Sequence, residues 1–263
     1  MPHSLKAESN WPSPDKVSRW RTHEGGRTND SNELAPGHPC FGCPVRDLAV
    51  CNALGDDELA VLRRCGTTRV LAPNEALCWE GDSARHVYSV SHGVLRLTRL
   101  LPDGRRHIAG FSYPGDFVGV TLEDEHSFTI EAVSAAKLCR FPRARFDEFV
   151  EVHPNMARRL YSNAANQLVA AQQQMVLLAR KTAPERLATF LLQMVERTKQ
   201  VAGEPLRARL PMVRIDIADY LGIRIETVSR ELGALKAARV IRMQSVHDLL
   251  ILNRDQLAAR ASG

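Results

Sequence analysis

RIDIADYLGIRIETVSREL, residues 214–232, is the most informative segment of the chain. Ala218 is small at a place where two helices can cross. Four residues later, Gly222 can adopt the positive φ that a three-residue turn between helices needs. Apolar residues at helical spacing complete the pattern: Ile217, Leu221, Ile223, Val228 and Leu232. Chance helical hairpins rarely satisfy all of these positions, so the segment predicts a helix-turn-helix.

The second helix of this predicted motif has two different faces. The face expected to be buried consists of Val228, Leu232 and Leu235. Glu226, Ser229 and Arg230 are spaced i, i+3 and i+4 and share the opposite face. Arginine can donate two hydrogen bonds to guanine and glutamate can accept one from cytosine, so this face predicts contact with double-stranded DNA. The alternative is a surface ion pair between Glu226 and Arg230, worth about 0.3–0.5 kcal/mol.

Charge and composition agree with a DNA-binding C-terminal part. Residues 181–263 hold 14 Lys and Arg against 9 Asp and Glu, whereas the remainder holds 21 of each. This surplus is expected of a region that meets a polyanion, although a solvated basic face would look the same. The 263 residues are 44% hydrophobic, no stretch approaches the roughly 18 apolar residues of a membrane helix, and a secretory signal is lacking. We therefore expect a cytoplasmic protein with no membrane partner.

The rest of the chain divides into a leader and a β domain. Residues 1–36 are polar and rich in Pro, Gly, Ser and Asn, which predicts a flexible leader. Residues 37–152 are predicted to hold a cysteine-bearing segment, a helix over 56–64 capped by Asp56, and many short strands. Apolar runs there alternate with turn residues, a pattern typical of a β-sandwich or jelly roll. The fold class is therefore predicted as α+β.

Residues 153–180 predict a long dimerisation helix. The segment contains no Gly or Pro for about 25 residues after Pro154. Its apolar residues recur at steps of three or four and form a narrow seam: Met156, Leu160, Ala164, Leu168, Ala171, Met175 and Leu178. Such a seam is typical of a helix that pairs with a second helix, although packing on the chain's own barrel is the alternative. We predict a homodimer, followed at 181–263 by a DNA-binding domain that ends in a small hairpin wing over 240–253.

The order of barrel, long helix and winged helix-turn-helix resembles the CRP/FNR family of bacterial transcription regulators, from about Cys40 to the C-terminus. Ile225–Arg230, IETVSR, is similar to the FNR and FixK/FnrN branch. The resemblance implies a jelly roll like that of cyclic-nucleotide-binding proteins and activation of transcription. It also implies recognition of TTGAT-type half-sites and a turn at 102–106 that contacts RNA polymerase. Thr227 lies in the same pattern. Arg224 stands where relatives usually place a Ser or Thr N-cap, and it could reach a DNA phosphate instead.

The cysteine pattern predicts a metal centre. Cys40, Cys43 and Cys51 lie close together, and Gly42 and Pro44 disfavour a regular helix, so the three thiolates can converge. FNR-like regulators take a fourth ligand from a Cys before a Pro at the end of the barrel, and by resemblance this is Cys139. Four thiolates suit a [4Fe–4S] cluster. A structural zinc site, with His38 as a possible ligand, and unligated cysteines are the alternatives. Two further cysteines are predicted to be buried: Cys65 and Cys78.

By resemblance, the expected function is oxygen sensing. An intact cluster would order the N-terminal loop and favour the dimer, and oxygen would convert or remove the cluster. A small effector in the barrel is the main rival, but residues 120–127, VTLEDEHS, are acidic and contain no Arg to bind an anionic ligand. An enzyme is disfavoured because no nucleophile triad or Gly-rich phosphate loop accompanies the cysteines. The expected protein is a DNA-binding transcription regulator and not an enzyme.

Overall fold

The computed structural model describes residues 40, 42–121, 123–198, 202 and 205–263. The predicted leader over 1–36 and His38 lie outside these residues. Along the described chain come a β-barrel, a long helix and a compact C-terminal domain, so the predicted architecture is confirmed. None of the helices in the described part of the chain is both long and apolar enough to cross a membrane.

The barrel consists of two four-stranded antiparallel sheets that pack face to face as a jelly roll. The strands are β1 (Thr67–Leu71), β2 (Ala76–Cys78), β3 (His86–His92), β4 (Leu95–Leu100), β5 (Arg106–Ser112), β6 (Phe117–Val118), β7 (Thr129–Ala132) and β8 (Ala136–Pro142). One sheet has the order β1-β8-β3-β6 and the other β2-β7-β4-β5. Alternating apolar residues of both sheets point inward, and Val90, Leu95 and Leu138 are completely buried between them.

Short helices close one side of the barrel. A 3-10 helix (Val50–Ala53) precedes α1 (Asp56–Arg64), and α2 (Arg143–Val152) follows β8. The predicted bounds of α1 are confirmed, but Asp56 is not its cap. The N-cap is Gly55, whose backbone N–H donates to the Glu58 carboxylate (2.8 Å). The Asp56 carboxylate instead accepts from Arg46 Nη2 (2.6 Å), which ties the cysteine-bearing segment to α1.

The long helix α3 (Pro154–Arg180) shows that the predicted seam is not one continuous surface. Met156 is wrong as a seam residue, because it is fully buried in a cluster with Val50 and Phe149. Leu160 is half-buried at the edge of the same cluster, and Leu178 packs against the C-terminal domain. The two ends of α3 therefore pack within the same chain: the first end packs against the barrel-side cluster and the last end against the C-terminal domain.

The middle of α3 leaves its apolar residues exposed. Leu168 is 59% exposed and Met175 is 61% exposed. Ala164 and Ala171 are exposed on the same side, and Tyr161 extends the face by one heptad toward the N-terminus. We call the exposed apolar face from Tyr161 to Met175 the α3 stripe. The α3 stripe is shorter than the predicted seam, because it begins after Met156 and Leu160 and ends before Leu178.

The C-terminal domain contains elements beyond the predicted helix-turn-helix and hairpin wing. It contains α4 (Ala183–Arg197), β9 (Leu206–Arg209), α5 (Arg214–Leu221), α6 (Ile225–Ala237), β10 (Ile241–Met243), β11 (Asp248–Ile251) and α7 (Arg254–Ser262). The wing is a three-stranded sheet of order β10-β11-β9, in which β9 adds a third strand to the predicted hairpin. Helix α7, which the sequence analysis did not predict, buries Leu257 in the core of this domain.

Candidate DNA interface and thiol site

The turn of the helix-turn-helix has the predicted geometry. Gly222 ends α5 in the left-handed region, with φ 62°. The backbone N–H of Ile223 then donates to the carbonyl of Ala218 (3.1 Å), which caps the end of α5 before α6 begins. Ala218 itself is buried where the two helices cross. A residue with a Cβ would be strained at Gly222, so the angle between the two helices depends on this glycine.

Helix α6 separates its two faces as predicted. Val228, Leu232 and Leu235 are buried in the core of the domain. On the other side, the side chains of Glu226 and Arg230 are exposed, and Thr227 and Ser229 are half-buried. In the described part of the chain, Glu226 and Arg230 form no ion pair with each other. Arg230 Nε donates instead to the adjacent Glu231 (3.1 Å). The carboxylate of Glu226 is therefore not neutralised by Arg230 and can accept from a base.

Arg224 occupies the N-cap of α6 without capping it. Its backbone is extended (φ −78°, ψ 149°), and among the described residues no side-chain cap hydrogen bond is formed at this helix start. Unpaired amides and the positive end of the helix dipole together favour an anion at this position. The exposed Arg224 guanidinium adds a full positive charge beside them. The arrangement suits a DNA phosphate better than a neutral Ser or Thr cap would.

A further basic residue near the interface was not predicted. Arg214, the first residue of α5, donates from Nη1 to the hydroxyl of Ser229 on α6 (3.3 Å). This contact links the two helices next to the base-reading face. Sequence patterns could not reveal it, because the residues lie on different helices and outside the apolar repeat.

The four predicted cysteine ligands come from two kinds of backbone. Cys40 and Cys43 lie in turns, and Cys51 lies in the 3-10 helix. Cys139 lies in the middle of β8, paired with Thr68 of β1 on one side and Ser89 of β3 on the other. The three sequence-adjacent thiols are thus carried by an irregular segment, whereas the fourth is fixed in a central strand.

The structure brings these four thiols together. Cys40, Cys51 and Cys139 are half-buried at the edge of one apolar cluster. Each of the four lies within electrostatic range of the other three, and this proximity raises the pKa values of Cys40 and Cys51 beyond the effect of burial. Burial is the main cause for all of the raised values, and the pKa of Cys51 reaches about 12. The Arg63 guanidinium opposes this rise for Cys40 and Cys139.

Among the described residues, no three Cys, His, Asp or Glu side chains are grouped closely enough to hold one metal ion. A four-iron cluster needs one thiolate at each of four separate iron atoms, and four thiols on one side of the barrel fit that donor set. No disulfide joins any of the six cysteines. Cys78 is buried in the barrel core as predicted, whereas Cys65 is only half-buried at the end of α1.

Two family models and several relatives match the chain. The cyclic nucleotide-binding domain matches residues 68–153, and the Crp-like helix-turn-helix domain matches residues 185–260. The nitrogen fixation regulation protein FixK of Bradyrhizobium diazoefficiens is 42% identical over 200 residues, which cover 76% of this chain and 84% of that protein. The chain belongs to the CRP/FNR family of transcription regulators.

Other members of the CRP/FNR family support this assignment. The transcriptional activator protein FnrL of Cereibacter sphaeroides is 33% identical over 85% of this chain and 92% of its own length. The solved structure of FixK2 from Bradyrhizobium japonicum has a TM-score of 0.70 and 35% identity, and the match covers 75% of this chain and 98% of that one. These relatives are named as regulators and activators, so the prediction of a DNA-binding regulator that is not an enzyme is confirmed.

In this CRP/FNR regulator, two barrel segments bear on the sequence predictions. The match to cyclic nucleotide-binding domains describes the fold of the barrel. Residues 123–125 are acidic and exposed, which disfavours an anionic ligand at this segment. The turn predicted to contact RNA polymerase is exposed at Arg105, which pairs with Asp103 (2.7 Å). Arg106 does not belong to that exposed surface, because its side chain points toward α5 of the C-terminal domain.

Proposed function

We propose that this CRP/FNR regulator is a cytoplasmic transcriptional activator that binds TTGAT-type palindromes as a homodimer and responds to oxygen through a [4Fe–4S] cluster. The observation that carries the proposal is the meeting of four thiols, from a turn segment and from β8, in a chain with an exposed base-reading helix. Cys40, Cys43, Cys51 and Cys139 would hold the cluster. The exposed turn over 102–105 would contact RNA polymerase.

The half-site preference follows from the side chains that α6 exposes. Arg230 can donate to guanine O6 and N7, Glu226 can accept from cytosine N4, and Ser229 can pair with either kind of base edge. These groups lie at the first turns of α6, which is the part of a recognition helix that reaches base edges. Arg224 and the uncapped amides beside it suit a phosphate and supply affinity without sequence preference.

The segment that carries Cys40, Cys43 and Cys51 lies against α3, the proposed dimerisation helix. Val50, next to Cys51, packs against Met156 at the start of α3. A group that binds the three thiols of this segment together with Cys139 therefore stabilises the contact between the segment, the barrel and α3. The cluster, when bound, supplies an oxygen-reactive iron centre. The cluster would bind the ordered form of this segment more tightly than a form that has left the barrel. Loss of the cluster would therefore shift the population away from the form that favours dimers.

Replacing Leu168 with glutamate tests the α3 stripe as the dimer surface. We expect Leu168→Glu to shift the protein to monomers and to weaken palindrome binding, because each subunit would bring a charge into an apolar helix pair. Analytical ultracentrifugation at micromolar concentration measures the change. Gln173→Glu, on the opposite exposed side of α3, is the control and should remain dimeric. A dimeric Leu168→Glu protein would contradict this assignment of the surface.

Anaerobic purification tests the cluster directly. We expect a coloured protein with about four irons and four sulfides per chain, as a four-thiolate [4Fe–4S] site requires. Its visible absorbance should be lost on exposure to air. Absorbance together with iron, sulfide and zinc analysis provides the measurement. A colourless protein with stoichiometric zinc would remove the oxygen-sensing proposal and leave DNA binding unaffected.

A further inference from the structure

A buried group of charges joins the barrel to the helix-turn-helix. Arg106, at the start of β5, donates from Nη2 to Asp216 Oδ1 (2.6 Å) and from Nε to Asp219 Oδ2 (2.8 Å). Arg96, on β4, donates from Nη1 to Asp216 Oδ2 (3.3 Å). Both aspartates lie on α5, so two barrel arginines hold one face of this helix. We call these four residues the interdomain ion cluster.

Two members of the cluster, Asp216 and Arg96, are shielded from water, whereas Arg106 and Asp219 are partly exposed. The side chain of Asp216 is 1% exposed and that of Arg96 is 9% exposed. From within the barrel, Glu131 accepts from Arg96 Nε (3.1 Å) and Asn74 accepts from Arg96 Nη2 (3.2 Å), which fixes the direction of this guanidinium. Charges buried in this way are tolerated when they are paired, and removal of one partner leaves an uncompensated charge.

Aromatic contacts surround the ion cluster and extend the docked surface. The ring of Phe111, on β5, meets Tyr220 of α5 edge-on with centroids 5.3 Å apart. The guanidinium of Arg197, at the end of α4, lies 4.4 Å from the ring centroid of Tyr113. The second sheet of the barrel therefore contacts both α4 and α5. Contact through two helices fixes an orientation, which one flexible contact would not do.

The interdomain ion cluster joins two parts of the chain that are far apart in sequence. The barrel and the C-terminal domain each have their own apolar core, and the ion pairs join residues about 110 to 120 positions apart. Asp216 is a charged residue of α5 that lies buried against barrel arginines. Its burial against two arginines therefore specifies how the two domains are arranged.

The docked arrangement leaves the DNA-reading face open. Asp216 and Asp219 face the barrel, where arginines neutralise carboxylates that would repel phosphates. Glu226 and Arg230 remain exposed on α6, and Arg214 crosses from α5 to α6 on that side. The charges on α5 are thus divided, with the acidic ones toward the barrel and a basic one toward the interface.

We propose that Arg96, Arg106 and Asp216 are positioning residues for DNA reading, which orient α6 by fixing α5 against the barrel. In a dimer, the two recognition helices must enter successive major grooves, so the angle of each helix-turn-helix to its barrel sets their separation. Arginine suits position 106 better than lysine, because its planar guanidinium donates from two separate nitrogens to the two carboxylates, whereas lysine offers one nitrogen. The inference rests on DNA contact by α6 and not on the proposed iron–sulfur cluster.

The experiment combines an interdomain distance with DNA affinity in the full-length protein. Fluorescent donor and acceptor groups, placed through non-canonical amino acids at the exposed positions Glu148 and Asp255, report the distance without DNA. Affinity is measured for a TTGAT palindrome and for scrambled duplex. The variants are Arg106→Met, Arg106→Lys and Asp216→Asn. The control is Arg99→Met, which removes an arginine of the same strand as Arg96 that contacts Glu80 and the Phe128 ring, both within the barrel.

We expect a single narrow distance distribution for the parent protein and Arg99→Met, and a broad one for the three other variants. Their affinity for the palindrome should fall about tenfold, in proportion to the loss of the docked population. Arg106→Lys should resemble Arg106→Met. If Asp216→Asn fails to fold, the partly exposed Arg106 variants decide the matter, with circular dichroism as the check on folding.

An unchanged distance distribution in the Arg106 variants would overturn the proposal. Tighter palindrome binding by Arg106→Met would also overturn it, because the ion cluster would then hold an arrangement that does not read DNA. If the parent protein ignores TTGAT palindromes, the proposed operator is wrong. The distance measurement still decides the positioning role in that case.

Discussion

The Cys51→Ala variant is expected to purify anaerobically with iron and sulfide reduced by about tenfold or more relative to the parent. Loss of an outer-shell partner alone typically costs 10–100-fold in metal affinity, and loss of a direct ligand should cost at least as much. Cys51 is chosen for removal because burial and the other three thiols raise the pKa of its thiol to about 12. The measurement is iron and sulfide content together with visible absorbance.

The matched control for this variant is Cys65→Ser. Cys65 ends α1 on the same side of the barrel but is outside the group of four thiols. We expect it to retain the full iron content and the same colour. A Cys51→Ala protein that keeps its iron, or a Cys65→Ser protein that loses it, would show that the ligands have been assigned wrongly. Palindrome binding by Cys51→Ala should fall together with the dimer fraction.

The Arg230→Ala variant is expected to lose most of the preference for a TTGAT palindrome over scrambled duplex. A bidentate contact between arginine and guanine is worth about 1–3 kcal/mol of discrimination, which corresponds to roughly 5- to 150-fold. The side chain is exposed, so its removal should leave the fold intact. Competition binding at fixed salt measures the ratio of the two affinities.

Arg224→Ala provides the contrast that separates base reading from phosphate contact. We expect it to weaken palindrome and scrambled duplex alike and to reduce the slope of log affinity against log salt by about 1. Arg230→Ala should change the ratio between the two duplexes far more than this variant does. An unchanged ratio in Arg230→Ala would refute the central role given to this residue.

The features that could be predicted from sequence depend on local geometry. The helix-turn-helix was readable because Ala218, Gly222 and the apolar repeat must all satisfy one short turn. The jelly roll was readable because turn residues recur between short apolar runs. The exposure of Glu226 and Arg230 followed from the three- and four-residue spacing that places them opposite Val228. In these cases each residue's environment is set by its near neighbours in sequence.

The features that could not be predicted depend on which surfaces meet. The apolar repeat on α3 predicts which side of the helix is apolar, but it does not predict which surface packs against that side. Met156, for example, packs in the barrel-side cluster and not in a dimer interface. Strand β9 is four residues long and, in the part of the chain that the structure describes, pairs with β11 alone, so its own sequence carries little information. Asp216 resembled an ordinary surface residue of an amphipathic helix. Its partners Arg96 and Arg106 lie more than a hundred residues away, and no spacing rule connects them.

The position of Cys139 in a strand that is paired on both sides has a consequence for insertions and deletions. Side chains alternate along a strand, so deleting one residue of β8 before Cys139 would turn its thiol to the opposite face of the sheet. The turns that carry Cys40 and Cys43 have no strand register, so a change in length there would not turn a thiol to the opposite face of a sheet. If the four cysteines hold a cluster as proposed, a deletion in β8 would remove its fourth ligand outright.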